Sequence, residues 1–336
     1  DCLLSRGLGD VYKRQSLHCN LHFYNMKKSL SFIILLFTTL FITNCNNEGN
    51  MVEISLKSQI TTNITRNIDI KTPKLTVYIK TNEINPLNMG EYHFTDTDEQ
   101  VVDHVILFAS NIHGTISTVK LYHNYNQAYI LNNANTLIKP LQDKGIKVLL
   151  GLLGDYTGVG FANLTYDQRN SFALQVAACV TTYGLDGVDF DEEFANYGSI
   201  SGTPAPSGDN FSLLIQRLRE LMPDKLITAK YYGYGAYLNQ AAKNAIDYIW
   251  PNFGTGYDAP IGLPNSKWAS MSIHYTNGYP SKRQIQSAIR HYNDYGAIMM
   301  FDLRDHDVSE TMNYFAPYIW EYRTVSWTGT VYPKDY

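Results

Sequence analysis

The stretch IKVLLGLL (146–153) sets the strongest limit on the fold. It carries one charge, lies between Gly145 and Gly154, and has apolar residues at successive positions. That is the pattern of a strand buried on both faces, as in a parallel sheet or barrel covered by helices. Seven other segments read as strands: LTVYIK (75–80), HVILFAS (104–110), GVDFDEE (187–193), LITAKYY (226–232), AIDYIWP (245–251), WASMSIH (268–274) and GAIMMFDL (296–303). Helical stretches fall between them. Residues 126–143 stop at Gly145, and 165–183 open on the capping-box pattern Thr165-Tyr166-Asp167-Gln168 and stop at Gly184. Residues 210–222 stop before Pro223, and 281–295 before Gly296. Eight strands with crossovers in about 245 residues predict an α/β chain folded as a single (β/α)8 TIM barrel over 74–320, with a tail at 321–336. An open doubly wound sheet would want a phosphate-binding glycine loop after the first strand, and IKTNEINPLN has no glycine.

Composition excludes several partners. Lys and Arg number 27 against 31 Asp and Glu, a net charge of −4, and no basic run exceeds two residues. Neither a nucleic acid nor an anionic membrane surface is an expected partner. Hydrophobic residues make up 44% of the chain, enough for a core. Four cysteines without CxxC or HExxH spacing give no support to a metal site, and no cofactor is expected.

The N-terminal residues read as targeting sequence. Residues 1–25 have no coherent pattern and are taken as upstream of the true start, Met26. Lys27 and Lys28 precede an apolar run of 14 residues, Leu30 to Thr43. A membrane-spanning helix needs about 20, so the run suits a signal peptide over 26–44. Ile42-Thr43-Asn44-Cys45 resembles a bacterial lipoprotein signal, with Asn44 where a small residue is usual. The resemblance implies lipidation at Cys45, a polar tether over 45–73, and an exported protein held to a membrane only by its lipid. A monomer is expected.

The chemistry concentrates in YGLDGVDFDEEFANYG (183–198). Side chains in a strand alternate faces, so Asp189, Asp191 and Glu193 share one face, with neighbours about 6.6 Å apart along the strand. Three acids on one face of a barrel strand have no packing use. In a low-dielectric interior their mutual repulsion keeps at least one proton bound near neutral pH. A carboxylic acid held protonated suits cleavage of a glycosidic bond, whose leaving oxygen must receive a proton. Glu193 lies nearest the C-terminal mouth, where barrel active sites form. A Ca²⁺ loop would not place apolar Val188 and Phe190 between its acids. Asp189 is open to two readings, a reacting group or a support for Asp191. Asp186 has the opposite parity and reads as structural.

DGVDFDEE fits the DxxDxDxE signature and resembles glycoside hydrolase family 18, which includes chitinases and endo-β-N-acetylglucosaminidases. The surrounding text is similar to the endo-β-N-acetylglucosaminidases of the H and F1 type from about residue 74 to 315. It comprises IKTNEINPLNMGEY (79–92), VILFASNIH (105–113), IKPLQDKGIKVLLGLLGDYTGVGFAN (138–163), LMPDKLI (221–227) and DYIWPNFGT (247–255). The resemblance implies cleavage between the two N-acetylglucosamines of high-mannose and hybrid N-glycan cores. Glu193 would be general acid and then base, and the substrate's 2-acetamido oxygen the nucleophile. Asp191 would steer and stabilise the acetamido group, Asp189 would share charge with Asp191, and the anomer would be retained. It also implies a tyrosine on the acetamido carbonyl, for which Tyr231 is the first choice and Tyr232 the alternate. Gly151 stands where the family usually has serine. Glu192 replaces an aspartate, on the outward face with little effect expected.

Further candidates for sugar contact are Trp250, Asn252 and Phe253 after strand six, with Trp250 equally readable as core. Met300 and Asp302 on strand eight are given interior-facing parity. The segments 154–163 and 194–210 leave the same barrel end as the acids and read as glycan-contacting loops.

Overall fold

The computed structural model describes residues 71–289 and 295–336. The signal segment, Cys45 and the tether before Lys71 lie outside these residues. Eight strands build the barrel: β1 (Lys74–Lys80), β2 (His104–Gly114), β3 (Lys147–Leu153), β4 (Gly187–Asp191), β5 (Leu226–Tyr231), β6 (Tyr248–Pro251), β7 (Met271–His274) and β8 (Ala297–Phe301). They run β6-β5-β4-β3-β2-β1-β8-β7, every neighbouring pair parallel. Closure between β6 and β7 is narrow, a single parallel bridge of Ile249 to Trp268 with Ala269 N–H donating to Ile249 O at 2.9 Å.

Two cores flank the wall. Tyr78, Ile106, Leu149, Trp250, Ala297 and Met299 fill the lumen. Outward residues pack under the helices: Phe190 of β4 meets Phe161 at 5.0 Å and Phe211 at 5.2 Å. Phe211 belongs to a helix, Gly208–Leu221, that buries Phe211, Leu214, Ile215 and Leu218 at helical spacing and is capped by Ser207. The helix Tyr166–Thr182 begins at the expected capping box of Thr165 and Gln168. Cys179 is buried in it.

The helical layer departs from the expectation in three places. Residues 126–143 form three short helices, Tyr125–Asn132, Ala134–Leu137 and Lys139–Asp143, broken at Asn133 and before Pro140, which has no N–H to continue the ladder. The crossover from β1 to β2 uses a 3-10 turn, Pro86–Glu91, and a short strand, Tyr92–Phe94, in place of an α-helix. The β6 to β7 crossover has a short strand, Gly254–Thr255, antiparallel to β7, and a 3-10 turn, Asn265–Lys267, in place of an α-helix. The C-terminal residues are integrated: Val325–Trp327 pairs with Tyr92–Phe94, and Tyr336 stacks on Tyr129 at 4.4 Å.

Candidate active site

The acid row climbs β4 from the lumen to the mouth. Asp189 is fully buried and accepts from Tyr78 Oη at 2.6 Å and Thr228 Oγ1 at 2.6 Å. Trp250 Nε1–H donates in turn to Tyr78 Oη at 2.8 Å. Burial pushes the Asp189 carboxyl up to about 6, with the Thr228 and Tyr78 hydrogen bonds opposing. Asp191, 3% exposed, is pushed up to about 7, chiefly by burial; Lys230 pulls it down, and Glu193 and Asp189 push it up. Its Oδ2 lies 3.4 Å from Lys230 Nζ, while its Oδ1 is buried without a partner. Glu193 is the most open of the three, its side chain 19% exposed, with Oε1 2.7 Å from Lys230 Nζ.

Lys230 was absent from the residues expected here. Burial alone would lower its proton affinity, but Asp191 and Glu193 outweigh it and hold the ammonium above its ordinary value. The register places Thr228 beside Asp189, so Thr228 and Lys230 face the lumen and Tyr231 does not. Tyr231 is therefore misplaced in the sequence reading. Its ring meets Trp268 edge-on at 5.4 Å and packs on the outer core. Tyr232, the alternate, lies on the acids' side, with the Lys230 ammonium 5.5 Å from its ring centre.

The other expected contacts separate. Trp250 is fully buried and cannot offer a face to a sugar; it supports the row through Tyr78. Asn252 is exposed at the mouth. Phe253 is half-buried, 5.3 Å from Lys230 Nζ and 4.7 Å from the His274 ring. Met300 is corrected: it pairs with Val77 and belongs to the outer core, while Met299 faces the lumen. Asp302 sits just past β8, where a φ of 64° turns the chain, and accepts from Thr276 (2.6 Å), Arg304 (2.8 Å) and Lys80 (3.2 Å). Burial would raise this carboxyl, but those donors hold it below the usual carboxylate range.

The loops after β3 and β4 are joined. Gly154 N–H donates to Glu193 O (3.1 Å), Tyr156 N–H to Phe194 O (2.6 Å) and Gly158 N–H to Ala195 O (2.9 Å). A Cβ on Gly154 would lie 2.4 Å from Glu193 O, so glycine is required for this approach. Tyr156 and Phe194, 63% and 47% exposed, hold their rings 5.4 Å apart, both with positive φ. Glu192 differs from its expected role. It is buried and accepts from the Tyr197 hydroxyl and from Tyr234 N–H at 2.8 Å, tying the loops after β4 and β5 together. Gly151 is explained by crowding: a Cβ there would lie 2.8 Å from Leu107 O on β2.

A parallel barrel with three carboxylates stacked toward its C-terminal mouth defines the class of barrel hydrolases that donate a proton to a leaving group. The family model for glycosyl hydrolases family 18 matches residues 74–307, and the chain belongs to that family. It is 38% identical over 248 residues to an endo-β-N-acetylglucosaminidase of Flavobacterium sp. (strain SK1022), covering 70% of this chain and 77% of that protein. It is 31% identical over 241 residues to endo-β-N-acetylglucosaminidase F1 of Elizabethkingia meningoseptica, covering 68% and 70%. EndoBT-3987 of Bacteroides thetaiotaomicron, solved with a Man5GlcNAc product, superposes with a TM-score of 0.68 at 26% identity. That match covers 78% of this chain and spans 64% of the solved chain. The same enzyme solved with Man9GlcNAc2Asn substrate gives a TM-score of 0.68 at 27% identity, covering 78% and 68%.

Proposed function

We propose that the protein hydrolyses the GlcNAc-β1,4-GlcNAc core of high-mannose and hybrid N-glycans and leaves one sugar on the asparagine. The observation that carries this is the placement of Asp191 and Glu193 side by side at the mouth, with Asp191 Oδ1 unpaired. The names and bound glycans of the relatives support the substrate class.

Glu193 gives its proton to the glycosidic oxygen. Asp191 accepts the N–H of the 2-acetamido group and turns its oxygen toward the anomeric carbon. This route needs only one carboxyl at the leaving oxygen, unlike the two-carboxylate retaining scheme. Asp189, held by Tyr78 and Thr228, fixes the charge beneath Asp191. Water, deprotonated by Glu193, then attacks from the vacated side, so the anomer is retained. Export as a lipoprotein acylated at Cys45 belongs to the same proposal and rests on the text of residues 26–45.

The test is incubation with a high-mannose glycoprotein and, separately, with chitin oligomers. Release of intact glycan with one N-acetylglucosamine left on the protein is expected; chitin turnover without glycan release overturns the reading.

Phe194 follows Glu193 directly, and its exposed ring and that of Tyr156, 5.4 Å away, offer an apolar surface next to the acid, which we assign to substrate contact. Tyr156→Ala and Phe194→Ala are each expected to raise KM for glycopeptide about 3- to 10-fold, with smaller changes in kcat. Steady-state kinetics on a glycopeptide series checks this.

A further inference from the structure

We propose that Lys230 is a positioning residue for the reaction: its ammonium, lodged between Asp191 and Glu193, holds the Glu193 carboxyl toward the leaving oxygen and balances the negative charge that Glu193 acquires on giving up its proton. The inference rests on the glycosidase reading above and assigns a part that the acid row alone does not supply.

Three observations carry it. The first is geometry. Lys230 Nζ is 2.7 Å from Glu193 Oε1 and 3.4 Å from Asp191 Oδ2, and its side chain is 8% exposed. It stands one lumen-facing position above Thr228, the residue that holds Asp189, so β5 partners the whole acid row with two side chains, Thr228 on Asp189 and Lys230 on both Asp191 and Glu193. The second is enclosure. The Tyr232 and Phe253 rings face the ammonium at 5.5 and 5.3 Å, which restricts it to the acid side. The third is cost. A buried ion pair is often no better for stability than apolar residues of similar volume, so packing gives no reason for a lysine at this position.

The charge count gives the reason. The groups that face or electrostatically couple to the ammonium are Asp189 and Asp191 of β4, Glu193 beyond β4, Tyr232 beyond β5, Phe253 beyond β6 and His274 of β7. Bond cleavage transfers the Glu193 proton to the glycosidic oxygen. The electron pair of the breaking bond goes to that oxygen, and the acetamido oxygen bonds to the anomeric carbon. The positive charge formed on the sugar faces Asp191. Glu193 is left as a second carboxylate beside Asp191, and Lys230 is the cation in contact with it. In the second half-reaction Glu193 takes a proton from water, the water oxygen bonds to the anomeric carbon, the acetamido oxygen–carbon bond breaks with its electron pair returning to the acetamido group, and the pair returns to its starting charge. Lys230 thus matters most where the leaving group needs a full proton.

The experiment compares two substrates. One is a high-mannose glycopeptide; the other is the same glycan with a 4-nitrophenyl group in place of the second N-acetylglucosamine, whose phenolate leaves without protonation. Lys230→Met is expected to lower kcat/KM on the glycopeptide about 10²-fold and on the aryl substrate less than about 10-fold. Lys230→Arg, which keeps the charge, is expected to recover most of the glycopeptide rate. Equal losses on both substrates in Lys230→Met, or no recovery in Lys230→Arg at wild-type melting temperature, overturn the assignment. If Lys230→Met does not fold, Lys230→Gln is held to the same ratio. Wild-type protein that cuts neither substrate overturns the glycosidase reading itself, whereas a wild type that cuts both leaves only Lys230 in question.

Discussion

Glu193→Gln is expected to lower glycan release by about 10²- to 10⁴-fold while glycan binding persists. Glutamine has the shape of the protonated acid but no proton to transfer, so departure of the sugar oxygen loses its acid. The second half-reaction loses its base through the same change. Binding persists because Glu193 is one side chain at the edge of the cleft, 19% exposed, and the loops after β3 and β4 keep their backbone pairing through Glu193 O, which the substitution leaves in place. The variant keeps an amide oxygen that can accept from Lys230 but removes the charge, leaving Asp191 at 3.4 Å as the ammonium's remaining carboxylate. The measurements are glycan release by chromatography and glycan affinity by calorimetry. Release above about a tenth of the wild-type rate would remove Glu193 from the reaction. Loss of release and binding together, in folded protein, would assign it to substrate binding alone.

Asp191→Asn is expected to have two effects of opposite sign. Release should fall about 10²- to 10³-fold, because an amide cannot balance the positive charge formed on the sugar. Stability at alkaline pH should rise. The Asp191 carboxyl is raised by burial to about 7 in the folded protein, against about 4 in an unfolded chain. Between those values the folded protein binds a proton that the unfolded chain does not, so stability falls as pH rises through that window. Above it the penalty for the buried charge is complete, and asparagine avoids it. The variant should melt a few degrees above wild type at pH 8, with the gap closing toward pH 4. Melting curves at the two pH values test the sign. A variant less stable at pH 8 than at pH 4, relative to wild type, would mean that the Lys230 partnership outweighs burial.

Much of the site was legible because its signal is local. DGVDFDEE needs only the two-residue period of a strand to put Asp189 and Asp191 on one face of β4; Glu193 lies past the strand's end, in a turn closed by its N–H on Asp191 O, and meets the row through Lys230. The paired loops were legible as loops from their glycines, and Thr165 and Gln168 form the capping box their spacing implies. Other readings failed for physical reasons that differ by residue. Residues 126–143 have helical composition, but Pro140 cannot donate a backbone hydrogen bond, and the segment folds as three pieces. Trp250 was readable either as core or as sugar platform, and only the packing chose: its indole lies in the lumen, bonded to the Tyr78 hydroxyl. Lys230 carries no motif. A lysine in LITAKYY reads as a solvated strand end until its neighbours are known.

The sequence by itself determined the eight strands, the helices Tyr166–Thr182 and Gly208–Leu221 and the acid face of β4, because each follows from periodicity within a few residues. Tertiary structure alone decided which residues meet that face from elsewhere. The registers that aim Lys230 inward, turn Tyr231 and Met300 outward and set Thr228 against Asp189 are made by backbone hydrogen bonds between segments far apart in the chain. A shift of one residue in such a ladder sends every side chain of the strand to the opposite face, and what opposes it in β5 is the burial of Ile227 and Ala229 on one side and the acids that receive Thr228 and Lys230 on the other.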